Sequence, residues 1–115
     1  MSDSCVFCRI GRGEIPARVV FETADLLAFH DLSPQAPIHV LVIPKRHLAS
    51  LAEAGAEDEL LLGRLQLAAV EVARRCDLTN TGFRLVVNAG ADAGQSVDHL
   101  HLHVLGGRSL TWPPG

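Results

Sequence analysis

Three of the six histidines stand at alternate positions in His99-Leu100-His101-Leu102-His103. Successive side chains of an extended strand point to opposite faces, so the three imidazoles share one face while Leu100, Leu102 and Val104 take the other. Same-face neighbours lie ~6.6 Å apart, which separates the first and third Cα atoms by ~13 Å. One ion held at ~2.0 Å by each ring nitrogen does not easily bridge that span, and a three-histidine metal site would need a ligand from elsewhere. The row is better matched to an extended target, such as a phosphorus centre with its leaving group. Neutral imidazole is a competent nucleophile near pH 7, and a neighbouring imidazolium can donate a proton to the departing atom. A single strand histidine is ordinarily a surface or core residue. Three in alternation are not explained that way, although the spacing alone leaves metal binding open. A second group is Cys5-Val6-Phe7-Cys8. Its two-residue spacing lets both thiolates face one ion. The alternatives are two free thiols or a redox pair, and the thioredoxin-like context of a redox pair is missing.

These residues need elements to position them. Val6 to Gly11 reads as a short helical turn, ended by Gly11, Gly13 and then Pro16. Arg18 to Glu22 and Leu26 to His30 read as two strands joined at Thr23-Ala24-Asp25, a hairpin. After the rigid loop Ser33 to Pro37, the apolar β-branched run Ile38 to Ile43 suits a central strand stopped by Pro44. A helix is expected over about Glu57 to Cys76, where Leu61, Leu65, Ala68, Val72 and Cys76 form one apolar stripe. Acidic residues open that helix, and Arg74 and Arg75 close it, as the helix dipole favours. Phe83 to Asn88 and His99 to Leu105 complete the set as antiparallel neighbours. Strands dominate, and the turns are too short for repeated helical crossovers. The expectation is an α+β fold with an antiparallel sheet of about five strands, one long helix and one short one.

At 115 residues the chain has room for one core, so a single domain over residues 1–115 is expected. A domain this small gains from further burial between subunits, which points to a homodimer. With 48% hydrophobic and 20% charged residues, the composition is globular and not that of a disordered chain. The net charge is −3 and the cations are scattered, which argues against long nucleic acids as partners but admits one small anion. No apolar run reaches the ~18 residues of a membrane span, and Met1 to Arg9 has no signal-peptide core. Three cysteines do not make a secreted disulfide framework, so a cytoplasmic protein is expected.

The run Gly94-Gln95-Ser96-Val97-Asp98-His99-Leu100-His101-Leu102-His103-Val104-Leu105 resembles the signature of the histidine triad (HIT) superfamily. Leu105-Gly106-Gly107-Arg108 with Trp112-Pro113-Pro114-Gly115 narrows the likeness to its nucleotide-binding (Hint) branch, the purine nucleoside phosphoramidases. The segments Phe29-His30-Asp31-Leu32-Ser33-Pro34-Gln35-Ala36-Pro37 and Val42-Ile43-Pro44-Lys45 are similar to that branch as well. The resemblance implies a HIT-like fold and hydrolysis of purine nucleoside phosphoramidates or aminoacyl adenylates to a nucleoside monophosphate. In that scheme His101 attacks the α-phosphorus to give a nucleotidyl-histidine intermediate, which water hydrolyses without any divalent cation. His103 binds the phosphate and helps protonate the leaving group, while His99 and His39 support the nucleophile and its tautomer.

Donors for the anion would come from Gly94, Gln95 and Ser96, with Val97 beside them and Asn88 adding an amide; without the family context this triplet reads as an ordinary turn. Asp31 would accept hydrogen bonds from the ribose hydroxyls, flanked by His30. Val6, Phe7, Ile10, Phe29 and Leu32 would form an apolar slot for a purine, reading shape and not adenine against guanine. Trp112 would lie near the leaving group in the partner subunit. His47 and His99 can complete a Cys2His2 tetrahedron with Cys5 and Cys8, and bacterial proteins of similar pattern carry structural zinc on these ligand types. A zinc-bound His99 would not be a free proton carrier. Asp98 departs from the pattern, standing where relatives often carry an aromatic residue. By alternation it points away from the histidine face, so an effect on packing or dimer contacts is expected. The competing expectations are a dinucleoside polyphosphate hydrolase, made less attractive by the Trp112 ending, and a non-catalytic nucleotide-binding or zinc-stabilised interaction module.

Overall fold

The computed structural model describes residues 4–115; Met1 to Asp3, part of the stretch read for a signal peptide, lie outside the described residues. A short helix α1 (Val6–Gly11) leads into strands β1 (Val19–Glu22), β2 (Leu26–His30) and β3 (Ile38–Pro44). The long helix α2 (Glu59–Arg75) follows, then β4 (Phe83–Val87) and β5 (Leu102–Gly106). The five strands form one antiparallel sheet in the order β1-β2-β3-β5-β4, so the expected α+β architecture is present.

The hairpin between β1 and β2 closes where Thr23 Oγ1 accepts the Leu26 amide at 3.0 Å. Alternation along the strands then divides the sheet into two faces. On one, Leu26, Ala28, Val40, Val42, Leu102 and Val104 pack against Leu65, Ala69 and Val72 of α2. Full burial of each large apolar side chain there contributes about 1.5–3 kcal/mol. On the other face, Leu27, Phe29, Leu41 and Ile43 pack against Phe7 of α1. The sheet thus separates the stabilising helix from the side that carries polar chemistry.

Two boundaries differ from the sequence reading by more than one residue. The first turn expected of α2 is a 3-10 turn over Ala56–Asp58, because the Asp58 carboxylate reaches back to the Gly55 amide at 3.0 Å and also takes Arg46. β5 begins at Leu102, not His99. β3 ends at Pro44, which has no N–H to give to a ladder. The His99 amide turns instead to Val97 O at 2.8 Å, and the Leu100 amide to Leu48 O at 2.6 Å. Past β5 the chain turns at Gly107 (φ 90°), where a Cβ would stand 2.9 Å from Pro37 Cβ. Among the described residues, no helix is long and apolar enough to cross a membrane.

Candidate functional site

Although β5 starts late, the histidine row keeps its alternation: Leu100, Leu102 and Val104 enter the core beneath α2, and the imidazoles lie on the α1 side. The ring centroids of His101 and His103 are 5.0 Å apart, and the Phe7 ring meets His101 edge-on at 5.1 Å. A carbonyl oxygen can only accept a hydrogen bond, so ring nitrogens next to carbonyls reveal the tautomers. His101 donates from Nδ1 to the backbone oxygen of His99 at 2.7 Å. Its Nε2 therefore keeps a bare lone pair in the neutral ring, which is the form a nucleophile requires. The tautomer of His101 is held by the main chain of His99; the His99 side chain has another task.

His39 on β3 is fixed by the opposite logic. Its Nδ1 accepts the Gln35 amide at 3.0 Å, so its proton resides on Nε2. That Nε2–H is directed at His103 Nδ1, 2.8 Å away, with Asp31 Oδ2 at 3.4 Å. His103 then carries its own proton on Nε2. Burial pushes the pKa of His103 down to about 4, and the neighbouring His101 and His39 further oppose a positive charge there while Asp31 favours it. Burial also lowers His39, with Asp31 working against the shift. Asp31, His39 and His103 offer donor atoms within 4.8 Å of one another. Because His39 Nε2 is protonated, they make a hydrogen-bond relay and not a cation site. His39 thus meets His103 and not the ring of His101.

His101 and His103 face a hollow of about 300 Å³, within the range of small-molecule sites, whereas His39 and His99 stand behind its lining. Val6, Phe7, Ile10, Phe29, His30, Asp31, Leu32, Ser96, Val97, His101 and His103 line it, bringing together eleven residues singled out from the sequence. Ile15, Pro16, Ala17 and Leu41 extend the apolar lining and were not anticipated. Leu41 had a signal: it stands two residues from His39 on the same strand face. Ile15 to Ala17 had none, since only closure of the loop after α1 brings them in. Burial lowers the pKa of His30, with Arg18 as a second cause.

Asn88, Gly94, Gln95 and Trp112 do not line the hollow. Gln95 braces its own loop, accepting the Gly90 amide at 2.9 Å and donating to Ala49 O at 2.7 Å and Val97 O at 2.9 Å. Trp112 is 79% exposed in the C-terminal tail. Asp98 is exposed, on the lip of a second hollow shared with Cys5 and His47.

The cysteine pair meets the histidines as the spacing allowed. Ligand atoms of Cys5, Cys8, His47 and His99 all fall within 4.8 Å of one another. His99 Nδ1 is 3.3 Å from Cys5 Sγ and 3.4 Å from Cys8 Sγ, and His47 Nδ1 is 3.3 Å from Cys8 Sγ. A tetrahedral zinc with bonds of ~2.3 Å to sulfur and ~2.0 Å to nitrogen has S···N edges of about 3.5 Å. His99 donates its Nε2–H to Pro44 O at 2.8 Å, leaving Nδ1 bare toward the thiols, the outer-shell arrangement that orients a metal-bound imidazole. The four residues thus fit a tetrahedral cation by donor type, spacing and tautomer. Burial lowers the His99 pKa, the bond to Pro44 opposes that shift, and the neighbouring His47 and His101 add to it.

An antiparallel sheet presenting a histidine row to a small-molecule-sized hollow defines an α+β protein of the histidine-row type. The chain belongs to the HIT domain family, whose model matches residues 12–110. It is 53% identical over the full length of both chains to an uncharacterized HIT-like protein of Synechococcus elongatus. Its fold is similar to the crystal structure of a HIT family hydrolase from Legionella pneumophila, at a TM-score of 0.95 and 50% identity, covering 96% of this chain and 99% of that one. It also resembles a histidine triad nucleotide-binding protein from Candida albicans, at a TM-score of 0.81 and 32% identity over 95% of this chain and 82% of the other.

Proposed function

We propose that this protein is a nucleotide-binding hydrolase of the phosphoramidase-like Hint branch, cleaving purine nucleoside phosphoramidates or aminoacyl adenylates through a nucleotidyl-histidine intermediate. The observation that carries the reading is the tautomer of His101, whose Nδ1–H is committed to the His99 carbonyl and whose Nε2 lone pair is free beside the hollow. Family membership and the likeness to a HIT family hydrolase and to a histidine triad nucleotide-binding protein support it. His101 Nε2 attacks the α-phosphorus, the bond to the leaving group breaks, and water then releases the nucleoside monophosphate. His103 donates Nε2–H to a phosphoryl oxygen as a neutral ring. The charge of a bound phosphate raises its pKa, so the ring takes a second proton from solvent and, as the imidazolium, passes its Nε2 proton to the departing amine, returning to the neutral form.

Asp31, with Oδ1 on the Ser33 amide at 2.8 Å, presents its carboxylate to the ribose hydroxyls, and the wall of Val6, Phe7, Ile10 and Phe29 takes the purine. Ser96 is the phosphate donor at the histidine end. The tetrad of Cys5, Cys8, His47 and His99 holds zinc, which ties α1 to the segment before β5. Two copies pair in solution, and Trp112 of each reaches toward the leaving-group side of the other's site.

Mixing the protein with an adenosine phosphoramidate and quenching in base tests this reading. A nucleotidylated chain is expected by intact mass, absent in His101→Ala, together with a loss of turnover on the order of 10³-fold or more. Parallel turnover of a dinucleoside polyphosphate measures the substrate preference. Comparable turnover of the phosphoramidate by His101→Ala removes the reading.

A further inference from the structure

His99 serves two neighbours with different parts of itself. Its ring, anchored by Nε2–H on Pro44 O, turns Nδ1 to Cys5 and Cys8, while its backbone oxygen holds His101 Nδ1–H. The segments on either side of the tetrad also separate two hollows. Val6, Ser96 and Val97 line both the large hollow and the open one bounded by Cys5, His47 and Asp98. Cover over the tetrad is uneven: Cys8 and His99 are buried, Cys5 is half-buried and His47 is exposed. A cation held there is in reach of solvent through the open hollow. Helix α1 has six residues, too few to be stable alone, and it carries Phe7 against His101.

We propose that cation occupancy of the Cys5, Cys8, His47 and His99 tetrad controls the adjacent active site, with His99 as the positioning residue that transmits it to His101. A bound cation fixes the main chain whose carbonyl holds His101 in the Nδ1–H tautomer, and it pins α1 against the apolar wall. Without the cation the His99 ring keeps only its bond to Pro44 O, and the carbonyl is held less firmly. His101 then also populates the Nε2–H tautomer, whose lone pair is on the wrong nitrogen. This regulation rests on the nucleotide-hydrolase reading above.

The test uses the full chain with 15N-labelled histidine at pH 7.5 under reducing conditions. Protein purified without chelator is expected to hold about one equivalent of zinc, and chelation prepares a form with less than about a tenth of an equivalent. Long-range 1H–15N correlation reads the His101 tautomer with no substrate present, and calorimetry reads affinity for adenosine monophosphate. Expected are a single Nδ1–H tautomer with zinc, averaged nitrogen shifts without it, and an affinity about 10- to 100-fold weaker, a usual size for coupling between sites. Circular dichroism reports whether the stripped chain stays folded. His47→Asn removes only the exposed ligand and gives a second form for graded loading, in which tautomer signal and nucleotide affinity rise together with zinc occupancy.

A folded, stripped chain with unchanged tautomer and affinity overturns the proposal. So does a His47→Asn protein in which neither signal follows zinc. Zinc that fixes the tautomer in a chain binding no adenosine monophosphate upholds the coupling at His101 and removes the nucleotide reading.

Discussion

Single hydrogen bonds distribute the labour within the histidine row. His99 is turned toward the thiols by Pro44 O, His101 is set by a carbonyl, and His103 is set by His39, itself set by the Gln35 amide. The row was legible in the sequence because alternation is a local property of extended chain. The tautomers were not, since each depends on a main-chain group positioned by the tertiary fold. The pKa of His103, about 4 in the folded state against an ordinary value of 6.5, has a consequence for stability. Between these values the unfolded chain binds the proton and the folded chain does not, so stability is fully present above about pH 6.5 and declines as pH falls toward 4. His39 and His30 are lowered too and act in the same direction, while Asp31 beside His103 moderates the effect. His103→Gln is therefore expected to show a smaller drop in urea midpoint between pH 7.5 and pH 5 than the parent. Identical drops in the two proteins would show that His103 titrates normally.

Among the elements, apolar patterning located the long helix and all five strands and the Gly and Pro stops the short helix, with β5 as the main displacement. Its start was misread because side-chain alternation persists through His99 to His101 while the ladder does not; the amides there serve Val97 and Leu48. The pocket wall from Ile15 to Ala17 was hidden for a related reason, since a loop has no period to betray which way it faces. The turn after β5 offers a quantitative check. Gly107 combines φ 90° with an approach of 2.9 Å to Pro37, whereas Gly13 has φ 78° with open space around it. Alanine at Gly13 is expected to cost about 1 kcal/mol from backbone strain alone, and at Gly107 about 2–3 kcal/mol because Pro37 must also move. Urea denaturation compares the two. Equal losses would mean that Pro37 yields without cost.

On the scale of the whole molecule, β4 forms one border of the sheet and, among the described residues, is bonded to β5 on one side only. Leu60 and Leu67 are 72% and 70% exposed on α2. An unpaired strand edge and uncovered leucines are surfaces that a second copy can occupy. Sedimentation velocity at micromolar concentration is expected to give twice the mass of one chain. A single-chain mass would remove the dimer, and with it the proposed place of Trp112 beside a partner's site. Small size and the family resemblance led to the expectation of a dimer without indicating a surface for it.

The apolar wall of the main hollow bears on competition within a mixed pool of nucleotides. Val6, Phe7, Ile10, Ile15, Phe29 and Leu41 present no side-chain donor or acceptor to the edge of a base. Rejecting one purine in favour of another depends on leaving a buried polar group unpaired, and these side chains supply none. On the proposed reading, occupancy follows abundance: whichever purine monophosphate is most plentiful fills the slot, the product of one turnover among them. The protein's working rate then reports the size of the purine pool more than the identity of any one member.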